Sequence, residues 1–437
     1  MTGMCLARRP VGQFGQGAVV EELHPRCAGI DIGKEYAKVC VRVPGLRPGG
    51  RTKADRVSEV VTTWGSMTNQ ILALRDYLVE QRVTCVVMEA TSDYWKPFFH
   101  LLEDIEGCEV MLVNARHVKN VPGRKSDVND ATWLAQLGAH GLVRASFVPP
   151  PQIRVLRDLT RSRAAVVRER AREVTRLEKL LEGAGIKLSV VASDLTGVSC
   201  RAMLMALVRG ERDPATLAGL ANWRMHGKTR QLVEALTGRF ADHHGFLVSL
   251  HFRLIDAHDA AINDITVQIE AAIEPFRAFR ELISTIPGIS DRVADVIIAE
   301  TGGDMNQFPT AAHLASWAGV CPGNNESAGV IKSTKTRRGN CHLKGALGIA
   351  AFAATRTKNT YLAAKYRRLA ARRGKLRAVV ALEHDMLTTI WHMAQTGELY
   401  NDPGSDYFTR LRPDRVKTRA IGDLERLGYT VTLQQAS

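Results

Sequence analysis

The sequence lacks several features that would place it in a familiar class of protein. No apolar run approaches the roughly 20 residues needed to span a bilayer, and the first residues lack the apolar core of a secretory signal. The eight cysteines include no C-x-x-C pair, and no Cys/His cluster has zinc-finger spacing. We therefore expect a soluble, cytoplasmic protein with free thiols and no membrane partner.

Acidic residues are absent from one segment near the C-terminus. Between Ile331 and Val380 the chain has 14 Lys and Arg residues and no Asp or Glu, whereas the remaining residues balance at 45 basic and 45 acidic. A merely solvated basic face would interleave acids with bases. The concentrated charge therefore predicts a polyanionic partner, with nucleic acid as the default.

Residues 27–148, after an extension of 26 residues, alternate strand and helix patterns. The predicted strands are CAGIDIG, YAKVCVRV, a stretch near Arg56–Val61, VTCVVME and CEVMLVN. The predicted helices are Thr68–Gln81, YWKPFFHLLEDI after an Asp93 N-cap, and a helix from a Ser126 or Asp127 cap to Ala139. This order is compatible with a ribonuclease-H-like α/β domain.

Three consecutive prolines at 149–151 mark a boundary, because prolines cannot continue a helix. Residues 149–280 are predicted to be helical and coiled-coil-like, with long amphipathic helices over Gln152–Glu182 and Phe246–Ala272. The second contains a 3-4-3-4 seam, and pairing within or between chains stays open. The seam consists of Leu247, Leu250, Leu254, Ala257 and Ala261. The path of residues 183–245 is not predicted.

Residues 281–400 are predicted to form a mainly α-helical domain, and residues 401–437 a polar tail that could hold one short helix. The domain opens with IPGIS before an apolar helix, a pattern similar to a helix-hairpin-helix. Its tight turn at Gly288 could present backbone N–H groups to a phosphate. A simple helical turn without nucleic-acid contact explains the pattern equally well.

Four acids in the N-terminal domain stand out by position. Asp31 interrupts an apolar strand and Glu89 ends another, while Asp127 and Asp130 share one face at a helix start. Acids at the ends of buried strands are costly unless they are paired or bind cations. If the strands are neighbours, these carboxylates meet at one sheet edge, where Mg²⁺ would find the oxygen ligands that it prefers. Two such ions can clamp a phosphodiester.

Each acid also has a structural explanation. Asp127 could be only an N-cap, Asp130 only a first-turn acid, and Glu89 the partner of a Lys or Arg. Asp31 is the hardest to explain in this way, because acids are disfavoured within short apolar strands. The four together favour a metal site. The loop between the last strand and helix adds cations for phosphate contact. These are Arg116, Lys119, Arg124 and Lys125.

A second candidate site lies in the loop WAGVCPGNNESAG, which leads directly into the acid-free segment. Its Ser327 would ordinarily be a turn residue. The cations that follow could instead hold a phosphate and stabilise a pentacovalent transition state at this serine. They are Lys332, Lys335, Arg337, Arg338 and Lys344.

The elements GIDIGK, VVMEATSDYW and VNARHVKNVPGRKSDVNDATWLAQL resemble, over 28–142, the RuvC-like domain of DEDD-type insertion-sequence transposases. The block from IPGIS through the serine loop resembles their C-terminal domain over 282–396. The resemblance implies metal ligation by Asp31, Glu89, Asp127 and Asp130, and a nucleophilic Ser327. Here Ala328 separates Ser327 from Gly329, whereas glycine commonly follows the family serine directly, so Ser333 is a reserve candidate.

The resemblance further implies Mg²⁺, with Mn²⁺ as a substitute, and DNA partners at element ends and target, on the bacterial nucleoid. It also implies a structured, element-encoded guide RNA and a homo-oligomer, either dimer or tetramer. The leading hypothesis is thus a recombinase that cuts and rejoins DNA. A metal-dependent nuclease for branched DNA, with a structural Ser327, is the alternative. A third hypothesis is a non-catalytic nucleic-acid-binding protein.

Overall fold

A computed structural model describes residues 22–46, 52–90, 92–114, 130–323 and 325–433. The chain divides into two compact units, one up to Val148 and one from Pro149. The boundary falls at the proline triplet, and Pro151 is the first residue of the helix that follows. Pro151 suits this position because a first-turn residue needs no N–H donor.

The first unit contains one mixed sheet of five strands in the order β3-β2-β1-β4-β5. β2 runs antiparallel to both β1 and β3, while β4 runs parallel to β1 and β5. The strands are β1 (Cys27–Ile32), β2 (Tyr36–Leu46), β3 (Thr52–Gly65), β4 (Cys85–Glu89) and β5 (Glu109–Val113). The expected α/β arrangement is thus present, although β3 is longer than the predicted stretch.

Both faces of this sheet are covered, which explains why its central strands are almost continuously apolar. Helices α1 (Thr68–Glu80) and α2 (Trp95–Leu102) pack on the face that carries Ile30 and Met88. Helix α3 (Asp130–Ala139) packs on the opposite face. Its core neighbours include Cys27, Cys85, Val87, Met111 and Val113.

The predicted Asp93 cap of α2 is wrong. The helix begins at Trp95, and Tyr94 occupies the cap position without a side-chain capping bond. Asp93 instead pairs with Lys96, at 2.9 Å between Oδ1 and Nζ. Its carboxylate is therefore engaged with a cation in the first helical turn. The predicted caps of α3, Ser126 and Asp127, lie outside the described residues.

Helix α3 approaches β1 so closely that only glycine fits between them. A Cβ atom at Gly29 would lie 2.1 Å from the carbonyl oxygen of Ala131 and 2.4 Å from the amide nitrogen of Ala135. Near the other end of the helix, a Cβ at Gly138 would lie 2.7 Å from Cys27 Sγ. The helix therefore runs antiparallel to β1, with its first turn over the carboxyl end of the strand.

The second unit is almost entirely helical. Its helices are α4 (Pro151–Gly183), α5 (Leu188–Val191), α6 (Val198–Val208), α7 (Pro214–Gly219), α8 (Thr229–Leu236), α9 (Asp242–Ala272), α10 (Arg277–Ser284), α11 (Asp291–Thr301), α12 (Ala311–Ala318), α13 (Cys341–Ala354), α14 (Tyr361–Arg373), α15 (Lys375–Thr396), α16 (Tyr407–Leu411) and α17 (Pro413–Arg426). Strands β6 (Asn325–Ser327) and β7 (Val330–Ser333) form a hairpin.

The long helices α4 and α9 pair within the chain and join two separate cores. At one end, Leu177 and Phe252 belong to a core with the short helices α5 to α8, which supply the path of residues 183–245. At the other end, Ile153 and Ile269 belong to the core of α10 to α15. The two long helices therefore form an internal helical hairpin.

The apolar seam predicted for α9 is not the face of this helix that is buried in the structure. The buried positions are Val248, Phe252, Ile255 and Ile269, whereas Leu254 is 39% exposed. Between Ile255 and Ile269 the contacts to α4 include polar pairs, such as Arg170 to Asp259 at 3.0 Å and Arg163 to Thr266 at 2.9 Å. A search for apolar residues alone misses this face because an ion pair and a hydrogen-bonded threonine occupy its middle.

The tail holds two helices, α16 and α17, where one short helix was predicted. Tyr407 and Phe408 of α16 contact the ring of Tyr361 in α14, with centroid separations of 5.1 and 5.5 Å. These aromatic contacts attach the segment after Pro403 to the rest of the unit. Within the described ranges, no helix has the length and apolar character needed to cross a membrane.

The close contact at Gly29 predicts that Gly29→Ala destabilises the first unit. The added methyl group forces α3 away from β1, at a cost of about 1–3 kcal/mol for an overpacked site. Hydrogen exchange of β1 and α3, followed by mass spectrometry, should become faster while exchange of α15 stays unchanged. Gly183→Ala is the control, because a Cβ there meets nothing within 4 Å. Unchanged exchange in Gly29→Ala contradicts the packing described.

Candidate functional site

Asp31 and Glu89 lie side by side at the carboxyl ends of two parallel strands. The register pairs Ile30 with Met88, so the next residues along β1 and β4 are these two acids. Both are half-buried. Because side chains alternate along a strand, Asp31 shares the face of Gly29, which is the face covered by α3.

Asp130 reaches the same region from the helix. It is the first residue of α3 and is half-buried. Its neighbour Ala131 touches Gly29, two residues before Asp31 on the same face of β1. The packing of α3 therefore brings Asp31, Glu89 and Asp130 to one end of one sheet face.

Sequence reasoning missed a cation beside these acids. Lys38 of β2 is the Cα partner of Asp31 across the antiparallel pair, and it is exposed. Cross-strand partners point to the same face, so Lys38, Asp31 and Glu89 form a row across three strands. The strand pattern alone shows no reason to select this lysine, because its position depends on the register of β1 with β2.

The donor set at this edge suits a hard divalent cation, because all its predicted ligands are carboxylate oxygens. Among the described residues, no group of three or more His, Cys, Asp or Glu side chains is arranged to hold a metal ion. The fourth predicted acid, Asp127, lies outside the described residues. The predicted loop cations Arg116, Lys119, Arg124 and Lys125 lie outside them as well.

Ser327 lies at the last position of β6, next to the turn of an exposed hairpin. It pairs with Val330, and the two residues between them, Ala328 and Gly329, have φ values of +51° and +75°. Positive φ at both central positions is typical of a type I′ turn. Alanine at the first of them costs about 1 kcal/mol relative to glycine. Ala328 thus occupies a turn position that normally favours Gly, Asn or Asp, and Ser327 is exposed beside it.

The reserve candidate Ser333 is placed differently. It is half-buried at the base of β7, opposite Asn325, and its hydroxyl oxygen accepts a hydrogen bond from the backbone N–H of Lys335 at 3.2 Å. The cations Lys332, Lys335, Arg337 and Arg338 are exposed around the hairpin. Exposure and surroundings therefore favour Ser327 over Ser333 as a group that DNA could reach.

Close backbone contacts hold the base of the hairpin together. The N–H of Gly323 donates to the carbonyl of Lys335 at 2.8 Å, and Pro322 forms a bridge with Thr336. A Cβ atom at Gly339 would lie 2.4 Å from the carbonyl oxygen of Ala318. The two segments that flank the hairpin are therefore in direct contact along their length.

Lys344, predicted to contact nucleic acid, lies half-buried on α13 behind this base. Its ammonium group donates to the carbonyl oxygen of Gly319 at 3.1 Å and to Thr336 Oγ1 at 3.0 Å. The lysine thus connects the segment that enters the hairpin with the segment that leaves it.

An ion pair between the buried Glu300 and the half-buried Arg161 fixes the end of the basic loop. Glu300 of α11 is fully buried and accepts two hydrogen bonds from Arg161 and one from Asn340 Nδ2, all at 2.7 Å. Asn340 caps α13 through the N–H groups of His342 and Leu343. Burial opposes the charged form, yet these bonds keep the pKa of Glu300 below its ordinary value. Glu300 therefore remains ionised and holds α4, α11 and α13 together.

Gly288 lies in the turn between α10 and α11, where the helix-hairpin-helix pattern predicted a tight turn. Its φ is +96°, and a Cβ atom there would lie 2.3 Å from the carbonyl oxygen of Ala350. Glycine is therefore required both by the turn and by the close approach to α13. Phosphate contact at this turn stays a prediction.

A groove of about 720 Å³ lies beside this turn, between α4, α11 and α13. Arg163 and Arg168 of α4 line it together with Arg292, and Val293 and Ile349 are among its apolar lining residues. The sequence shows that one face of α4 is rich in arginine, but it does not show where these side chains gather.

Two family models match separate parts of the chain. A model described as a transposase of the DEDD IS110 type matches residues 28–186. A model of the IS116/IS110/IS902 transposase family matches residues 280–367. The first match includes Asp31, Glu89, Asp127 and Asp130, and the second includes Ser327.

Curated relatives agree with these matches. The transposase for insertion sequence element IS1111A of Coxiella burnetii is 24% identical over 85% of this chain and 90% of its own length. An uncharacterized IS110 protein of Streptomyces coelicolor is 34% identical over 31% of this chain and 33% of its own length. An uncharacterized IS900 protein of Mycobacterium paratuberculosis is 30% identical over 33% of this chain and 36% of its own. The chain therefore spans about a third of two of these relatives and most of the third.

The order of the two matched regions agrees with the order of the two candidate sites, one of acids and one around a serine. The chain belongs to the IS110-type family of DEDD transposases.

Proposed function

We propose that this chain cuts DNA strands at the ends of an insertion sequence and rejoins them to new partners. Ser327 is the nucleophile, and Asp31, Glu89, Asp127 and Asp130 are the ligands of divalent cations. The observation that carries the serine assignment is the exposed position of Ser327 beside a tight turn, next to a basic segment without acids. An exposed hydroxyl among cations suits attack on a phosphodiester.

The proposed cleavage and rejoining steps need no reactant other than Ser327 and the DNA strands. Ser327 Oγ forms a bond to phosphorus while the bond from phosphorus to one strand oxygen breaks. The hydroxyl proton leaves the serine, and the departing strand oxygen takes up a proton. In the second half, the hydroxyl oxygen of the incoming strand forms a bond to phosphorus while the bond from phosphorus to Ser327 Oγ breaks. The incoming hydroxyl loses its proton, and the released serine oxygen takes one up. The bond energy of the phosphodiester is conserved in the covalent intermediate.

The cations around the hairpin would hold the phosphates during both steps. Lys332, Lys335, Arg337 and Arg338 are exposed, and charge-assisted hydrogen bonds from such groups to phosphate oxygens are short and strong. Their positive charge also favours the extra negative charge on a pentacovalent phosphorus. These residues therefore bind and orient the reacting phosphodiester.

The carboxylates of the first unit would hold Mg²⁺, for which Mn²⁺ can substitute. Bound divalent ions supply neutralisation of phosphate charge and polarisation of the scissile bond. The chain's own contribution is placement, because the β1–β4 register and the packing of α3 bring Asp31, Glu89 and Asp130 to one edge. The exposed Lys38 beside them would contact a phosphate at the same edge.

The proposal extends to two further partners. The family resemblance supports a structured guide RNA encoded by the element, and a homo-oligomer, either dimer or tetramer. The basic segment from Ile331 to Val380 supports a nucleic-acid surface larger than one phosphodiester needs, because its 14 cations continue through α14 into α15.

Ser327→Ala should abolish covalent protein–DNA adducts. The full chain is incubated with Mg²⁺, with DNA that contains the element ends, and with RNA transcribed from the sequence beside the gene. Covalent protein–DNA adducts are then resolved on denaturing gels. Ser333→Ala is the matched control and should retain adducts, because its hydroxyl is engaged with the backbone. Strand cleavage without adducts in the wild type would indicate the nuclease alternative. Adducts that persist in Ser327→Ala contradict the assignment.

Asp31→Asn should remove the stabilisation of the first unit by Mg²⁺. A ligand at 100 times its dissociation constant stabilises a folded state by about 2.7 kcal/mol, and hydrogen exchange of β1 and β4 reports that change. Asp76→Asn on α1 is the control, since Asp76 is exposed and pairs only weakly with Arg75 at 3.4 Å. Equal Mg²⁺ stabilisation in Asp31→Asn and wild type argues against these ligands.

A further inference from the structure

We propose that Lys344 is a positioning residue that fixes Ser327 by clamping the base of its hairpin. It acts through the protein backbone and makes no contact with DNA. The inference rests on the proposed role of Ser327 as nucleophile, and it assigns Lys344 a different role from the cations that follow the same serine in sequence.

The clamp joins the two segments on either side of the hairpin. Gly319 lies at the end of α12, before the hairpin, and Thr336 lies after it. The ammonium of Lys344 donates to both, at 3.1 and 3.0 Å. An ammonium has three donors and no acceptor, so two of its three donors are used within the protein.

The surroundings of Lys344 favour a fixed rather than a mobile side chain. The lysine is half-buried, whereas Lys332, Lys335 and Arg338 are exposed. Glu383 of α15 is buried on the side of α13 that carries Gly348, one helical turn after Lys344. Burial raises the pKa of Glu383, and the positive charge of Lys344 opposes that rise. The ammonium therefore lies against two acceptors of its own protein, the carbonyl oxygen of Gly319 and Oγ1 of Thr336.

The paired strands connect the base of the hairpin to the serine. Gly323 and Lys335 are joined by a backbone hydrogen bond, and the β6–β7 pairing runs from Asn325 opposite Ser333, through a register shift, to Ser327 opposite Val330. A clamp at Gly319 and Thr336 therefore sets the direction in which the hairpin projects. Attack on phosphorus is sensitive to this, since a misplacement of about 1 Å can cost roughly 100-fold in rate.

The test compares Lys344→Met with Lys335→Met on the same DNA. In single-turnover adduct formation at saturating DNA, Lys344→Met should lower the rate by about 100-fold. Its DNA dissociation constant and salt dependence should match wild type. Lys335→Met, which loses an exposed cation, should instead weaken binding and reduce the salt slope by about 1. Lys344→Arg should recover part of the rate, because a donor to Gly319 and Thr336 is restored.

Hydrogen exchange is a second measurement, and it distinguishes the proposed role of Lys344 from that of Ser327. Hydrogen exchange across 319–339 should accelerate by about tenfold or more in Lys344→Met and in Thr336→Val, and stay unchanged in Ser327→Ala. Thr336→Val preserves the lysine and tests the same contact if Lys344→Met folds poorly. Adducts that persist in Ser327→Ala contradict the proposed nucleophile, whereas exchange still reports on the clamp.

Two results overturn the clamp. One is exchange across 319–339 that matches wild type in both Lys344→Met and Thr336→Val. The other is a reduced salt slope in Lys344→Met with an unchanged rate at saturating DNA, which would place Lys344 on a phosphate.

Discussion

The contact between helix α3 and strand β1 at Gly29 is the constraint on which the first site depends. Because no side chain separates the two backbones, the first turn of α3 lies directly over the end of β1. Asp130 is carried to Asp31 by that contact, and the parallel register with β4 adds Glu89. In the proposed function these acids share a role as cation ligands, which would offset the cost of placing them at a half-buried sheet edge.

In the second unit, close backbone contacts and internal hydrogen bonds position the hairpin that carries Ser327. Glycines at 319 and 339 bring the two segments beside the hairpin into contact, and Lys344 bonds both. Hydrogen bonds from Arg161 and Asn340 to the buried Glu300 then join the end of the basic loop to α4 and α11. A loop rich in cations would repel itself, and these internal bonds hold it in one conformation. The proposed role of Ser327 as an exposed nucleophile would require rigid support of this kind.

Local sequence patterns predicted much of the fold and of the two candidate sites. Where those patterns failed, the structure shows a physical reason. Asp31 within an apolar strand, and Glu89 at the end of another, predicted their meeting because parallel neighbours end at the same edge. The seam of α9 was misplaced because Asp259 and Thr266 occupy its middle. Lys38 and the internal partners of Lys344 were beyond local reasoning, since they depend on strand register and on contacts across 25 residues.

The convergence of the carboxylates can be tested by metal-directed cleavage of the protein backbone. Fe²⁺ replaces Mg²⁺ on the full chain, and ascorbate with peroxide generates hydroxyl radicals that cut the backbone close to the bound ion. We expect cuts at three separate stretches, near Asp31, near Glu89 and near Asp130, that excess Mg²⁺ suppresses. Cuts confined to one of these stretches, or located away from all three, would contradict a shared cation site at this sheet edge.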